Sequence, residues 1–266
     1  CDAVEKKIAA LEGGVGAMLT TSGQAASLLS ILNLCSAGDS FIAVSTIYGG
    51  TINLFGVTLK KLGIECIWAD AEADEEEIQK LFKPNTKAVF GETLANPALT
   101  VFDIEKWANI AHKNNVPLIV DNTFATPVLC RPFEWGADIV IHSTTKYMDG
   151  HGAALGGAIV DHGVFDWMAH ADKYPGLCTP DESYHGVTYA KDFGKAAYIT
   201  KATAQLMRDF GSTPAPINSW IMGMHLESLG VRMERHCANA LKVAQWLSAD
   251  PRISWVSFPG LEEDKY

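Results

Sequence analysis

The sequence predicts an α/β protein, with a mostly parallel sheet covered by helices on both faces. Three observations lead to this prediction. Short apolar runs alternate with longer amphipathic segments over roughly the first 165 residues. Apolar residues make up 48% of the 266 residues, which is enough for a large core. No apolar run approaches the ~18 residues that a membrane-spanning helix needs.

Two kinds of periodicity locate the elements. Short runs rich in apolar and β-branched residues, bounded by turn-forming residues, predict strands. These runs cover residues 40–45, 63–70, 86–92, 116–122, 137–143 and 156–161. Apolar residues at spacings of three and four predict helices. These helices cover residues 3–11, 24–34, 50–62, 74–82 and 104–114.

The pattern changes after about residue 165, where an aromatic stretch without clean periodicity predicts a long packed connection. From Ile217 to Leu247 an apolar stripe predicts a long helix, broken near Gly223 or Gly230. Residues 254–260 then predict a strand. Because one helix and one strand do not complete a domain, we expect a large domain over residues 1–212 and only the beginning of a second domain over residues 213–266.

Charge and cysteine content narrow the class of function. Lys and Arg number 21 against 31 Asp and Glu, a net charge of −10. This charge would repel nucleic acids and anionic membranes, so small-molecule chemistry is expected. The six cysteines are dispersed without a C-x-x-C pair, which favours a reducing compartment. The first residues predict an amphipathic helix and not a leader, so we expect a cytoplasmic protein.

Candidate site residues follow the predicted strands, because ligands of open α/β sheets bind at the carboxyl ends of the strands. Asp121 ends one strand, and Ser143, Thr145 and Lys146 follow another. Gly23 and Gln24 follow Ser22 at the start of a predicted helix, a place where free backbone N–H groups can bind an anion.

Each of these residues alone has an ordinary structural explanation, such as a helix cap or a solvated side chain. Together they match pyridoxal phosphate, which needs an anion site for its phosphate, a carboxylate for its pyridinium nitrogen and an amine for its aldehyde. Tyr48 is the candidate for stacking on the ring. Three histidines near these motifs, His142, His151 and His185, lack metal-ligand spacing, so no metal site is predicted.

Five segments give these residues a more specific context, because they resemble the successive motifs of the Cys/Met-metabolism pyridoxal-phosphate enzymes, in the same order. They are Ser22-Gly23-Gln24-Ala25, Tyr48-Gly49-Gly50-Thr51, Glu92-Thr93-Leu94-Ala95-Asn96-Pro97, Val120-Asp121-Asn122-Thr123 and His142-Ser143-Thr144-Thr145-Lys146-Tyr147. Three further segments most resemble the O-acetylhomoserine sulfhydrylase branch of this family. They are Cys130-Arg131-Pro132-Phe133, Glu182-Ser183-Tyr184-His185-Gly186 and Phe193-Gly194-Lys195-Ala196-Ala197-Tyr198-Ile199.

The resemblance implies a type I pyridoxal-phosphate transferase fold and a role for each candidate. Lys146 would form the Schiff base and move protons, Asp121 would pair with the ring nitrogen, and Tyr48 would stack on the ring. Burial of the Lys146 amine in an apolar, cofactor-filled pocket would favour its neutral, nucleophilic form. The remaining cofactor-binding residues would be Gly23, Gln24, Ser143 and Thr145 at the phosphate and Asn96 near the ring hydroxyl.

The implied reaction is γ-replacement on O-acetyl-L-homoserine by sulfide or a thiol, giving L-homocysteine and acetate in methionine biosynthesis. The implied assembly is a homodimer or homotetramer whose active site is shared across the interface. Cystathionine γ-synthase and methionine γ-lyase activities stay open, as does an inactive scaffold subunit. Two elements of the family, an upstream Tyr-x-Arg segment and a downstream arginine for the substrate carboxylate, are absent from the sequence, so we expect it to be part of a longer protein.

Overall fold

The computed structural model describes residues 1–264, which contain one seven-stranded sheet with the order β1-β7-β6-β5-β4-β2-β3. The strands are Gly16–Thr20 (β1), Ser40–Val44 (β2), Glu65–Ala69 (β3), Thr86–Glu92 (β4), Leu118–Asp121 (β5), Ile139–His142 (β6) and Gly157–Asp161 (β7). The five strands from β3 to β6 in this order are parallel, whereas β7 is antiparallel to both β6 and β1. The predicted α/β class with a mostly parallel sheet is confirmed.

The strands form where the sequence is continuously apolar because helices cover both faces of the sheet. Every residue of β2, β6 and β7 is buried. Each of the six predicted runs contains one of these strands. The seventh, β1, was not predicted, because its five residues lie between a glycine-rich turn and the Ser22-Gly23 turn. Its strand conformation depends on pairing with the distant β7.

Thirteen α-helical segments are present among residues 1–264. They are Asp2–Glu12 (α1), Gly23–Leu32 (α2), Gly49–Asn53 (α3), Leu59–Lys61 (α4), Glu75–Gln79 (α5), Ile104–Lys113 (α6), Thr126–Leu129 (α7), Pro175–Cys178 (α8), Tyr189–Asp192 (α9), Ala197–Lys201 (α10), Arg208–Phe210 (α11), Pro216–His225 (α12) and Leu229–Ser248 (α13). π-Helical turns lie at Leu54–Thr58 and Ala202–Met207, and 3-10 turns at Pro132–Trp135, Met168–His170, Glu182–Tyr184, Gly194–Ala196 and Leu226–Ser228. All five predicted helical regions contain helix.

The aromatic stretch after residue 165 forms short helical turns that pack against the main core. Trp167 lies between two tyrosine rings, with ring centroids 5.1 Å from Tyr174 and 5.8 Å from Tyr198. Both tyrosine hydroxyls donate hydrogen bonds to backbone carbonyls, at 2.8 Å to Lys87 O and 3.0 Å to Ser30 O. A buried hydroxyl needs such an acceptor, so these contacts fix the irregular segment without helical or strand periodicity.

The last part of the chain corrects one prediction. The break in the long helical region lies at Leu226–Ser228, between the two predicted glycines. The predicted strand at residues 254–260 is wrong, because that segment has no partner strand among residues 1–264 and Trp255 is 78% exposed. An apolar run forms a strand only where its backbone finds hydrogen-bond partners. No helix within residues 1–264 is long and apolar enough to cross a membrane.

The aromatic core under β2 and β4 allows a test of the packing. Phe55 is fully buried, with its ring edge-on to Phe41 and Phe90, each at a centroid distance of 4.9 Å. Replacing Phe55 by alanine should lower the free energy of unfolding by about 3–5 kcal/mol, because a large cavity replaces these contacts. Urea denaturation measures this change. Phe210→Ala, at a position that is 56% exposed, is the matched control and should change it little.

Candidate active site

A cavity of about 570 Å³ opens at the carboxyl edge of the sheet, within the size range of small-molecule sites. The ends of β4, β5 and β6 reach it, as do the turns that follow β1 and β2. All eight residues predicted for the site line this one cavity: Gly23, Gln24, Tyr48, Asn96, Asp121, Ser143, Thr145 and Lys146. The cavity is also lined by Ser22, which was predicted only as the helix cap, and by residues that had no predicted role: Ser27, Thr51, Glu92, Thr123, Phe124, Tyr147, Gly150 and Leu155.

The N-terminus of α2 forms one wall of the cavity. Ser22 caps the helix, its hydroxyl accepting a hydrogen bond of 3.1 Å from the Ala25 N–H. A Cβ on Gly23 would come within 2.5 Å of Ser143 Cβ, so only glycine lets the helix start so close to the turn after β6. The Ser143 hydroxyl has no hydrogen-bond partner among residues 1–264. Together with the helix N-terminus it makes a site suited to a phosphate.

Thr145 differs from Ser143 because its hydroxyl is already engaged. Its Oγ1 donates to Gly156 O at 3.2 Å and accepts from the Gly156 N–H at 3.1 Å. These bonds tie the turn after β6 to the start of β7. The one hydroxyl proton of Thr145 is therefore used within the protein, and it must be released before Thr145 can donate to an anion.

Asp121 is held by the residue two positions after it. The Thr123 hydroxyl and N–H both donate to Asp121 Oδ1, at 2.5 Å and 3.0 Å, and Thr123 Oγ1 in turn accepts from the Ser143 N–H at 2.7 Å. Burial raises the pKa of Asp121 above its ordinary value, although the Thr123 hydrogen bonds and the nearby His142 oppose this shift. No salt bridge within residues 1–264 includes Asp121, so its carboxylate is free to pair with a bound cation.

Glu92 is a second carboxyl group beside Asp121. It ends β4 directly opposite Asp121 in the parallel register, and it is only 6% exposed. Burial, together with the charge of Asp121, raises the pKa of Glu92 to about 8. Its Oε2 accepts a hydrogen bond of 2.7 Å from the Tyr48 N–H, which fixes the start of α3. Its place at a strand end was the signal that could have marked it as a site residue.

Lys146 and Tyr48 present the reactive amine and the aromatic face. Both side chains are exposed where they line the cavity, Tyr48 by 46%. The protein alone therefore leaves the Lys146 side chain exposed, whereas the expected burial of its amine refers to the cofactor-filled pocket. Such burial requires that a ligand fill the cavity.

A fully buried polar network lies at the same strand ends. His142 Nε2 is 2.6 Å from Glu12 Oε1, and the Asn122 side-chain amide donates to the same oxygen at 2.9 Å. Thr93 Oγ1 donates to Asn122 Oδ1 at 2.9 Å. These four residues connect the ends of β4, β5 and β6 to α1. His142 is therefore a structural residue here.

The donor set of the cavity fits pyridoxal phosphate. A helix N-terminus with a free hydroxyl suits the phosphate, and an unpaired carboxylate suits the pyridinium nitrogen. The exposed face of Tyr48 suits the ring, and the Lys146 amine suits the aldehyde. Residues that meet each requirement line the same cavity.

The raised pKa of Glu92 can be tested through the pH dependence of protein stability. Because folding raises the pKa of Glu92 from 4.5 to about 8, the folded protein keeps a proton that the unfolded chain releases. This contribution to stability is complete below about pH 4.5 and is lost as the pH rises through about 8. In ligand-free protein Glu92→Gln should therefore weaken the fall in the free energy of unfolding across this window. Urea denaturation at several pH values measures it.

The control for that experiment is Glu105→Gln, at an exposed position in the first turn of α6. Its pH profile should match that of the wild type. A Glu92→Gln profile as steep as the wild-type profile would contradict the proposed state of Glu92.

Comparison with known proteins places this site in a family. All residues, 1–266, match the family described as Cys/Met metabolism PLP-dependent enzyme. A homocysteine/cysteine synthase of Kluyveromyces lactis is 45% identical over 98% of this chain and 59% of that enzyme. An O-acetyl-L-homoserine sulfhydrylase of Corynebacterium glutamicum is 46% identical over 100% of this chain and 61% of that enzyme. The chain thus spans about 60% of the length of these relatives.

Solved structures agree with this comparison. A Campylobacter jejuni protein named as an O-acetylhomoserine (thiol)-lyase superposes with a TM-score of 0.94 at 39% identity, covering 100% of this chain and 66% of that one. That structure contains a pyridoxyl-lysine monophosphate. An O-acetylhomoserine sulfhydrylase of Wolinella succinogenes superposes with a TM-score of 0.88 at 32% identity, over 98% of this chain and 70% of that one. The chain belongs to the family of Cys/Met-metabolism enzymes that depend on pyridoxal phosphate.

Proposed function

We propose that this protein replaces the acetyloxy group at Cγ of O-acetyl-L-homoserine by sulfide, with L-homocysteine and acetate as the products. The carbon–oxygen bond at Cγ breaks and a carbon–sulfur bond forms there, so the reaction needs no oxidant or reductant. The observation that carries the proposal is the convergence of Lys146, Asp121 and Tyr48 with the N-terminus of α2 on one cavity. The relatives named as sulfhydrylases support the choice of substrate.

Lys146 is the proton carrier in this proposal. When bound, pyridoxal phosphate supplies an electron sink for the electron pair left at Cα of an amino acid. Among residues 1–264, Lys146 is the one lysine that lines the cavity. Its Nζ accepts the proton from Cα, releases it, and then accepts a proton from Cβ, so that acetate can leave from Cγ. After sulfide has added at Cγ, protons return to Cβ and Cα.

The other residues bind and orient. The Asp121 carboxylate holds a proton on the ring nitrogen through its negative charge, and Thr123 keeps that carboxylate in place. Tyr48 would stack on the ring, and the Glu92 carboxylate, which accepts a hydrogen bond from the Tyr48 N–H, fixes the position of Tyr48. We assign the remaining predicted residues to cofactor binding, with Gly23, Gln24, Ser143 and Thr145 at the phosphate and Asn96 near the ring hydroxyl.

The proposal extends to the organisation of the protein. All cavity residues lie between Ser22 and Leu155, which supports residues 1–212 as the cofactor-binding domain and residues 213–266 as the beginning of the next. Leu155 and Phe124 both line the cavity, and they are 64% and 39% exposed. An apolar rim of this kind favours a homodimer or homotetramer in which a second subunit completes the site. Six free cysteines favour a cytoplasmic location.

An assay of the complete protein tests the activity. O-Acetylhomoserine, O-succinylhomoserine and methionine are each supplied with sulfide or cysteine as the acceptor, and the products are quantified. We expect homocysteine and acetate from O-acetylhomoserine with sulfide. Preferred use of O-succinylhomoserine with cysteine would indicate a cystathionine γ-synthase. Release of methanethiol from methionine would indicate a methionine γ-lyase. No turnover and no cofactor uptake would indicate a scaffold subunit.

Lys146→Ala is the decisive variant in that assay. It should lower turnover by at least about 10³-fold, because the proton carrier is removed while the fold is unaffected. Lys191→Ala, at an exposed position in α9, is the matched control and should keep wild-type turnover. Normal turnover by the Lys146 variant would mean that another residue carries the chemistry.

A further inference from the structure

Arg232 reaches from α13 into the turn that carries Lys146. Its Nη1 donates to the carbonyl of Tyr147 at 2.6 Å, and its Nη2 donates to the carbonyl of Met148 at 3.2 Å. These are the two residues directly after Lys146. A guanidinium that bonds two successive carbonyls fixes the path of the backbone, because its donors lie in one rigid plane.

The guanidinium is itself held by its own helical region. Nε donates to the Ser228 hydroxyl at 3.0 Å, and Nη2 donates to the carbonyl of His225 at 3.1 Å. Burial lowers the pKa of Arg232, and the nearby Asp149 opposes this shift. A partly buried guanidinium with four protein acceptors has lost most of its conformational freedom. The position of α13 therefore determines the position of the turn after Lys146.

Gly150 makes room for this contact. It has φ of +69°, lines the cavity and donates its N–H to Lys146 O at 2.7 Å. A Cβ at this position would overlap the Arg232 guanidinium. Glycine is therefore required here by both the backbone conformation and the space.

A second link joins the same two parts of the chain. The side chain of Asp149 is fully buried, and its Oδ1 is 2.7 Å from His225 Nδ1. Its Oδ2 accepts from the N–H groups of His151 and Ala153, at 3.2 Å and 2.9 Å. The His151 and His225 rings are stacked with centroids 3.9 Å apart. The turn after Lys146 is thus fastened to the segment around His225 at two points.

We propose that Arg232 is a positioning residue for Lys146. It contacts the backbone that carries the amine and holds the amine at the place where it meets the cofactor and the substrate. This inference rests on the proposed function of Lys146. It assigns a role in the reaction to α13, which lies outside the cavity.

The test compares three variants in the complete, cofactor-loaded protein: Arg232→Gln, Arg232→Lys and Arg235→Gln. Arg235 is exposed three positions further along α13 and is the matched control. The measurements are the dissociation constant of pyridoxal phosphate, the fraction of Lys146 labelled after borohydride reduction, and kcat and KM separately. Arg232→Gln should weaken cofactor binding by about tenfold, as removal of an outer supporting residue does. It should also lower the labelled fraction and kcat at nearly unchanged KM.

Arg232→Lys should keep part of the cofactor binding, labelling and kcat that Arg232→Gln loses, because one ammonium can bond one of the two carbonyls. Cofactor binding, labelling and kcat equal to those of Arg235→Gln would overturn the inference. So would a variant whose only defect is a lower melting temperature without cofactor, since that defect shows a purely structural role. Lys146→Ala runs in parallel: if it still takes up cofactor on a lysine, the proposed function fails independently of Arg232.

Gly150→Ala supplies a second line of evidence. In the wild-type background the added methyl group should displace Arg232 and produce the same tenfold weaker cofactor binding. In the Arg232→Ala background the space is free, so Gly150→Ala should weaken cofactor binding by less than tenfold. If Gly150→Ala weakens cofactor binding by the same factor in both backgrounds, the coupling between Gly150 and Arg232 is contradicted.

Discussion

An unpaired carboxylate at the end of a buried strand is the constraint on which the site depends. Asp121 ends β5 in the middle of the sheet, where burial raises its pKa and no salt bridge within residues 1–264 compensates it. Its neighbour in register, Glu92, adds a second carboxyl group at the same edge. Such a pair is costly in an empty cavity and becomes favourable when a cation binds. In the proposed site, the protonated pyridine ring of the family's cofactor would supply this cation.

The surrounding polar groups hold these strand ends in place. Thr123 connects Asp121 to the backbone of Ser143, and so joins the ends of β5 and β6. At the same ends, the buried Glu12 accepts from Asn122 and pairs with His142, anchoring them to α1. Buried networks of this kind strengthen each bond in a low dielectric and restrict the conformations of the groups they join. The turn that carries Lys146 is therefore supported from β6 on one side and from Arg232 on the other.

Much of the fold and the site could be predicted because strands and strand ends are local features. Continuous apolar runs mark six strands, and the residues after them line the cavity. The strand β1 could not be predicted, since its conformation is supplied by pairing with β7, far away in sequence. The apolar run at residues 254–260 shows the reverse. Its pattern predicts a strand, but no strand forms there because it has no partner strand among residues 1–264. Glu92 was given no role although its place at the end of β4 was a usable signal. Arg232 could not be predicted, because its importance lies in tertiary contacts to the carbonyls after Lys146.

The protonation state of the cofactor ring tests the account most directly. The complete protein, loaded with pyridoxal phosphate labelled with ¹⁵N in the ring, is measured by nitrogen NMR before and after Asp121→Asn. We predict the chemical shift of a protonated ring nitrogen in the wild type and of an unprotonated nitrogen in the variant, because an amide carries no charge to hold the proton. An unprotonated ring nitrogen in the wild type, or a protonated nitrogen in both proteins, would contradict the role of Asp121.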